Sequence, residues 1–228
     1  MQAQGMARRV QPDEVPEVVV LRLPLYVRTL TRLQRQGVEV VSSQQLGELL
    51  QVTPAQIRKD LSYFGRFGKQ GRGYNVRGLL GELKQILGLD QEWEVCVVGV
   101  GRLGRAVISY AGFGPEGFRV VAAFDADPNL VGQQLGGLRV QSIEEIEATI
   151  AARGLRIAIV SVPAAHAQEV INRLVRSGIR AILNYAPISP QVPEGVKVRN
   201  IDPVLALQSM TYYVRNGSDH REQGTALP

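Results

Sequence analysis

Cysteine is nearly missing from this 228-residue chain, with Cys96 the single example. One thiol excludes an internal disulfide. With only two histidines, His166 and His220, the clustered Cys and His spacing of a zinc site is absent too, so no metal is expected. No apolar run approaches the roughly 20 residues of a membrane span. Residues 1–17 are polar, carry Arg8, Arg9 and Pro12, and lack the apolar stretch of a secretion signal. These absences point to a cytoplasmic protein with no membrane partner and with Cys96 as a buried core residue. Neither a nucleophile elbow nor a phosphate-loop lysine occurs, and there are no internal repeats.

The charge is unevenly placed. Residues 1–90 hold 13 Lys and Arg against 8 Asp and Glu, a net of +5, while residues 91–228 hold 13 of each. Within 54–77 six bases (Arg58, Lys59, Arg66, Lys69, Arg72, Arg77) face one acid, Asp60. A basic patch confined to one segment implies a polyanionic partner more strongly than a basic average would.

Residues 1–15 show no periodicity and read as a mobile arm. A helix over 17–36 follows Pro16, with Val20, Leu23, Val27, Leu30 and Leu33 at helical spacing. Pro24 is expected to kink it or split off its first turns. Residues 38–41 suit one short strand. Ser42 and Gln45 are spaced as a capping box for a second helix buried through Leu46, Leu49 and Leu50. Thr53, Pro54 and Gln56 combine a capping hydroxyl, proline at the first helical position and Gln at the box position. The third helix, to about residue 64, has Ile57, Leu61 and Phe64 as its apolar stripe. Lys59, Ser62, Tyr63 and Arg66 lie opposite, and Arg58 on the flank. Two short helices with a basic, hydroxylated outer face on the second read as a helix-turn-helix for double-stranded DNA. Residues 65–73, GRFGKQGRG, read as a two-stranded wing bringing Lys69 and Arg72 to the DNA backbone or minor groove. A fourth helix covers 77–87, and a hinge lies at 88–90.

Residues 95–98 form a short apolar run of the kind a doubly buried strand needs. It runs into Gly99, Val100, Gly101, Arg102, Leu103 and Gly104, a helical pattern through Tyr110, and a second apolar run over 119–124 ending in Asp125. In such a turn the first glycine permits the tight bend, the second lets backbone approach a pyrophosphate, and the third lets the helix pack on the sheet. The helix start supplies amides and a dipole for the phosphates. Asp125, 21 residues past Gly104, stands where a carboxylate accepts from an adenosine ribose hydroxyl, and it would repel a 2′-phosphate. NAD(H) is therefore favoured over NADP(H).

Further strands are expected at 156–160, 181–184 and 196–200, with helices opening at a capping box from Ser142 to Glu145 and over 163–177. Alternating strands and helices imply a parallel, doubly wound sheet. Ligands sit beyond the carboxyl ends of such strands, which brings Val162, Pro163, Asn184, Tyr185, Ala186 and Pro187 to the crevice. A last helix, over 203–214, is apolar nearly all round. Too short for a membrane, it calls for another subunit as cover. The polar tail from 217 is expected to be disordered.

The stretches RKDLSYFG at 58–65, GVGRLG at 99–104, SVP at 161–163, NYAP at 184–187 and NID at 200–202 together resemble the Rex family of bacterial redox-sensing repressors, over about residues 16–216. The resemblance implies a homodimer that binds a palindromic operator and releases it when NADH binds, NAD+ competing for the site, with C-terminal helices exchanged between subunits. It implies a phosphate contact at Arg58, base reading by Lys59 and Tyr63, and a pair, Tyr110 and Asp202, that bonds in one dimer state only. The family's wing usually carries a base where this chain has Gln70. Arg72 is the candidate replacement.

The fold class expected is thus α/β: a winged helix-turn-helix domain (16–88), a Rossmann-type doubly wound sheet (89–202) and a C-terminal dimerisation helix (203–216). Two other readings stay open at this point. An NAD-dependent oxidoreductase needs an acid or base near the nicotinamide, for which only His166 is placed. The enzyme would leave the basic module unused. A structural nucleoid protein or a CoA-binding protein of the same fold, with an accessory basic domain, is the other reading.

Overall fold

The computed structural model describes residues 14–65, 67–68 and 72–217, so the greater part of the expected arm and tail lies outside the described residues. The chain forms two compact units that divide between Gln91 and Glu92.

The first unit is built from α1 (Glu17–Arg35), β1 (Val40–Val41), α2 (Ser43–Leu50), α3 (Pro54–Ser62), β2 (Tyr74–Asn75) and α4 (Val76–Ile86). Its core gathers Leu23, Leu30, Leu46, Ile57, Leu61 and Leu83. Val15, expected in the arm, is buried against this core. Pro24 does not split α1. Pro24 and Val20, the residue whose carbonyl loses its donor, are both exposed, so solvent can take the place of the missing N–H. The same geometry corrects the buried stripe. Val20 points outward, and Val19 and Tyr26 join Leu23, Val27, Leu30 and Leu33 inside. Leu49 is also exposed, and Gly47 is buried in its stead, because the α2–α3 turn presses on it. A Cβ on Gly47 would lie 2.5 Å from the Val52 carbonyl oxygen.

Within this core lies one ion cluster. The Asp60 side chain, wholly buried, accepts from Arg22 Nε (2.6 Å) and Nη2 (2.7 Å), Tyr26 Oη (2.6 Å) and Gln56 Nε2 (2.6 Å). Burial pushes the carboxyl upward. The bonds from Arg22, Tyr26 and Gln56 and the guanidinium charge outweigh it and hold Asp60 below the usual carboxylate range.

The second unit comprises β3 (Trp93–Val98), α5 (Arg102–Ile108), β4 (Phe118–Asp125), β5 (Gln134–Leu135), β6 (Leu138–Ser142), α6 (Ile146–Arg153), β7 (Ile157–Val160), α7 (Ala164–Arg176), β8 (Ala181–Asn184), β9 (Lys197–Asn200) and α8 (Pro203–Gly217). Strand order is β5-β6-β4-β3-β7-β8-β9, all parallel but β5. The chain winds one way from β3 and then the other, so the switch point lies between β3 and β7. Strand β3 is buried on both faces. Cys96 and Val98 pack with Ile146, Ile150, Ile171 and Leu174 of α6 and α7, whereas Val95 and Val97 pack with Val107 of α5. Burial pushes the Cys96 thiol up to about 12, leaving it inert. Helix α5 ends at Ile108, short of the expected Tyr110, and the β5–β6 hairpin was not foreseen.

The acid–base state of Asp60 yields a prediction. Its folded carboxyl sits below the unfolded value of about 4, so its stabilising effect is complete above that pH and is lost as pH falls through the folded value. Asp60→Asn is expected to cost about 3 kcal/mol at neutral pH. The difference from wild type should shrink toward zero in acid, read by hydrogen exchange of α1 amides across a pH series.

Candidate DNA-reading helix and nucleotide crevice

Helix α3 is positioned by its own sequence. Ser42 and Gln45 close a reciprocal capping box on α2. Gln51 ends α2 in a left-handed conformation (φ 55°) that turns the chain toward α3. Thr53 Oγ1 then accepts from the Gln56 amide at 3.1 Å, with Pro54 following. Gln56 does not complete a second box. Its side chain turns along the helix to Asp60 instead, where a buried carboxylate is the stronger acceptor.

Lys59 and Ser62 are exposed on α3, and Tyr63 is half-buried against the core. Arg58 is exposed and donates from Nη1 to Ser43 Oγ at 3.1 Å, tying the α2 start to the α3 flank. The Ser62 hydroxyl donates to the Lys59 carbonyl at 2.7 Å. Arg72 is exposed, while Arg66, Lys69 and Gln70 lie outside the described residues. Much of the expected two-stranded wing, residues 66 and 69–71, lies outside the described residues. Among the described residues of 65–73 there is no strand beyond a bridge at Gly73, and the paired strands are β1 and β2, with Val41 opposite Tyr74. Two glycines in that loop would each bring a Cβ onto backbone: Gly68 to 2.6 Å from the Gly73 carbonyl, Gly73 to 2.7 Å from that of Val41. The residue that sequence reasoning passed over is Asp60, whose one signal was being the lone acid in a basic run.

In the second unit the strand register aligns the crevice. Phe124, Val98, Val160, Asn184 and Asn200 form one row across the sheet. The next residue of each inner strand continues it: Gly99 N donates to Phe124 O, Ser161 N to Val98 O, Tyr185 N to Val160 O. Gly99, at φ +92°, would bring a Cβ to 2.6 Å from the Ser161 carbonyl, and Gly104 one to 1.9 Å from that of Gly99. Gly101 meets nothing within 4 Å. Two glycines are thus required by protein contacts, and the third opens onto free space, as a turn that admits a pyrophosphate needs. Arg102 and Leu103 are exposed, and Val100 is buried.

Asp125 clamps this turn. Its Oδ2 accepts from the Val100 amide at 2.6 Å and its Oδ1 from the Asp127 amide at 2.9 Å. A carboxylate has about four lone-pair directions, so capacity remains for ribose hydroxyls. The Val100 carbonyl is held from the other side by Arg105 Nε at 3.1 Å, and Arg105 Nη2 reaches Gln133 Oε1 at 3.0 Å. Gln133 and Asp127 both bond to Asn129, which closes a ring of hydrogen bonds between the glycine turn and the loop after β4.

The remaining residues divide. Val162 is half-buried and Pro163 exposed at the start of α7, Tyr185 is half-buried and Pro187 exposed. Asn184 and Ala186 are buried. The Asn184 amide donates to the Ala186 carbonyl and to Asn200 Oδ1 and accepts from the Ala186 amide, so it shapes the loop with all its polar groups inside. Tyr110 is exposed and meets Phe113 edge-on, with ring centroids 5.2 Å apart. Asp202 accepts from the Val204 amide at 2.9 Å and caps α8. His166 is exposed, and His220 lies outside the described residues. Among the described residues no Cys, His and acid cluster could hold a metal, and no helix is long and apolar enough to cross a membrane.

Two family models match, one described as "Putative DNA-binding protein N-terminus" over residues 14–62 and one as "CoA binding domain" over 90–188. The chain is 57% identical over 202 residues to the redox-sensing transcriptional repressor Rex of Roseiflexus sp. (strain RS-1), covering 89% of this chain and 92% of that protein. It is 43% identical over 230 residues to the Rex of Streptomyces coelicolor, covering 99% and 89%. Among solved structures, RSP, a Rex-family repressor, in complex with beta-NAD+ and operator DNA aligns with a TM-score of 0.85 at 38% identity, covering 93% of this chain and 99% of that one. Its complex with beta-NADH aligns at 0.82 and 36% identity, covering 92% and 98%.

Gly104→Ala forces α5 and the turn apart and is expected to cost about 1–3 kcal/mol of stability while abolishing NADH binding. Asp125→Ala is expected to leave the fold intact and weaken NADH binding about tenfold or more, from the loss of charge-assisted bonds. Thermal unfolding and NADH fluorescence titration check both.

Proposed function

This chain belongs to the Rex family of redox-sensing transcriptional repressors, and from that premise we propose how its two units act. It is a DNA-binding repressor and not an enzyme, and the nucleotide it senses is NADH, with NAD+ competing. The observation that carries the reading is the presence in one chain of an exposed basic helix, α3, and a glycine turn open at Gly101.

In the first unit, Arg58 contacts a phosphate, Lys59 and Tyr63 read base edges, and Ser62, Arg66, Lys69 and Arg72 add contacts around them. In the second, residues 99–104 hold the pyrophosphate, Asp125 holds the adenosine ribose, and Val162, Pro163 and the segment 184–187 line the nicotinamide end. NADH and NAD+ differ there by one hydride and one positive charge. An apolar lining favours the neutral reduced ring.

The protein acts as a homodimer in the cytoplasm. Helix α8 supports this: every described side chain from Pro203 to Arg215 is exposed, among them Leu205, Leu207, Met210, Tyr212 and Tyr213. Leaving such groups in water forgoes about 1.5–3 kcal/mol each, and a second copy provides the cover. A dimer presents two α3 helices to half-sites one DNA turn apart, so the operator is palindromic. NADH shifts the equilibrium only if it binds the two dimer states with different free energies. Tyr110 and Asp202, not bonded to each other within the chain, are free to pair between subunits in one state. An oxidoreductase would leave the basic module unused, and among the described residues the one buried acid, Asp60, belongs to the first unit and not to the unit of His166.

In operator-binding titrations, NADH is expected to weaken binding far more than NAD+, and equal effects would sink the sensor reading. Lys59→Ala and Tyr63→Phe should lower sequence discrimination. Arg58→Ala should weaken all DNA alike and flatten the salt dependence by about one unit of slope.

A further inference from the structure

Asp60 is the one wholly buried charged residue among the described residues, and it sits on the helix proposed to read DNA, directly after Lys59. Such a group is costly to bury and is no help to affinity, since an acid repels phosphate. Its four donors come from fixed directions. Arg22 and Tyr26 stand one turn apart on α1, and Gln56 stands one turn back on α3 itself. The rest of the buried face is Ile57 and Leu61 of α3 and Phe64 just beyond its end, whose packing is non-directional. Apolar packing and the one exposed bond from Arg58 to Ser43 resist a roll of this nine-residue helix less than directional bonds inside the core do. A two-point guanidinium fork, a phenol and an amide converging on one carboxylate cannot follow such a roll without breaking bonds.

We propose that Asp60, clasped by Arg22, Tyr26 and Gln56, is a positioning residue that sets the rotation of α3, and thereby the sequence selectivity of the protein, without touching DNA. The inference rests on α3 being the base-reading helix. With side chains included a helix has a radius of about 5–6 Å, so a 10° roll displaces the tips of Lys59 and Tyr63 together by about 1 Å. Binding constellations tolerate only about 0.5 Å before specificity suffers. A loosened clasp therefore blurs every base pair that α3 reads at once, whereas the loss of a reading side chain blurs one.

The discriminating variant is Arg22→Lys. It keeps a positive charge beside Asp60, and with it the fold, but replaces the planar fork of the half-buried Arg22 by a single point. Wild type and variant would each partition a random-core duplex library, with bound DNA sequenced and random-sequence affinity and its salt dependence measured in parallel. The expected result is the same preferred sequence for both, with enrichment reduced about tenfold and spread over all contacted positions. Random-DNA affinity, salt slope and NADH affinity should stay unchanged.

A second variant, Arg22→Met with Tyr26→Phe and Asp60→Leu, replaces the carboxylate and its two α1 partners by apolar groups and leaves only the half-buried Gln56. It is expected to fold with near wild-type stability and to show the same loss of enrichment. Identical enrichment profiles for wild type and Arg22→Lys would overturn the proposal, as would full selectivity in the apolar triple variant. If wild type itself enriched no sequence, the DNA-reading function would fall instead, which keeps the two failures apart.

Discussion

The nucleotide-binding half of this protein depends on one close approach between backbones. Gly104, at the first turn of α5, stands so near the Gly99 carbonyl that no side chain fits between them. That contact seats α5 against the end of β3 and aims its first amides outward. Gly99 makes a similar approach to Ser161 on the neighbouring strand, so the turn, the helix and the β7 end are mutually fixed. Parallel register then brings Asp125, Val162 and Tyr185 to one edge of the sheet. The Asp125–Val100 and Arg105–Val100 bonds hold the turn in one shape beforehand, which would leave little ordering cost for the proposed ligand to meet.

The two halves of the chain solve opposite electrostatic problems. The first carries the entire excess charge, which suits a polyanion but gives no base preference by itself. Selectivity demands a reading surface held in one setting, and within the first unit the Asp60 cluster supplies directional bonds where apolar packing supplies none. The second half, neutral overall, must distinguish two nucleotides that share every phosphate. Its discrimination has to lie at the nicotinamide end and not in the phosphate turn. Sensing and reading are thus asked of different residues, and the proposed dimer, in which α8 would find its cover, is the physical means of making them depend on each other.

Where sequence reasoning fell short, the misses have a common character. Pro24 was expected to kink α1 or split off its first turns, and the helix runs through it unsplit, because whether a lost hydrogen bond matters depends on which side of the helix faces solvent. Val20 and Leu49 match the helical period as well as Val19 does, and only the neighbouring helices decide which is covered. The pairing of β2 with β1, about 30 residues earlier, joins segments too far apart for a local pattern to show. The β5–β6 hairpin is too short to show a period. Asp60 looked like one acid diluting a basic patch.

By itself the sequence determined whatever rests on neighbours along the chain. The capping of α2 by Ser42 and of α3 by Thr53, the glycine turn with Asp125 at the end of the following strand, and the all-round apolar α8 are of this kind, because caps, turns and periods are set within a few residues. Only the tertiary structure decided what lies between distant residues. Arg22 and Asp60 are 38 positions apart, and Asp125 and the Val100 amide 25. A bond of that span exists only once the packing of whole elements has brought its two ends together, and no local pattern carries it.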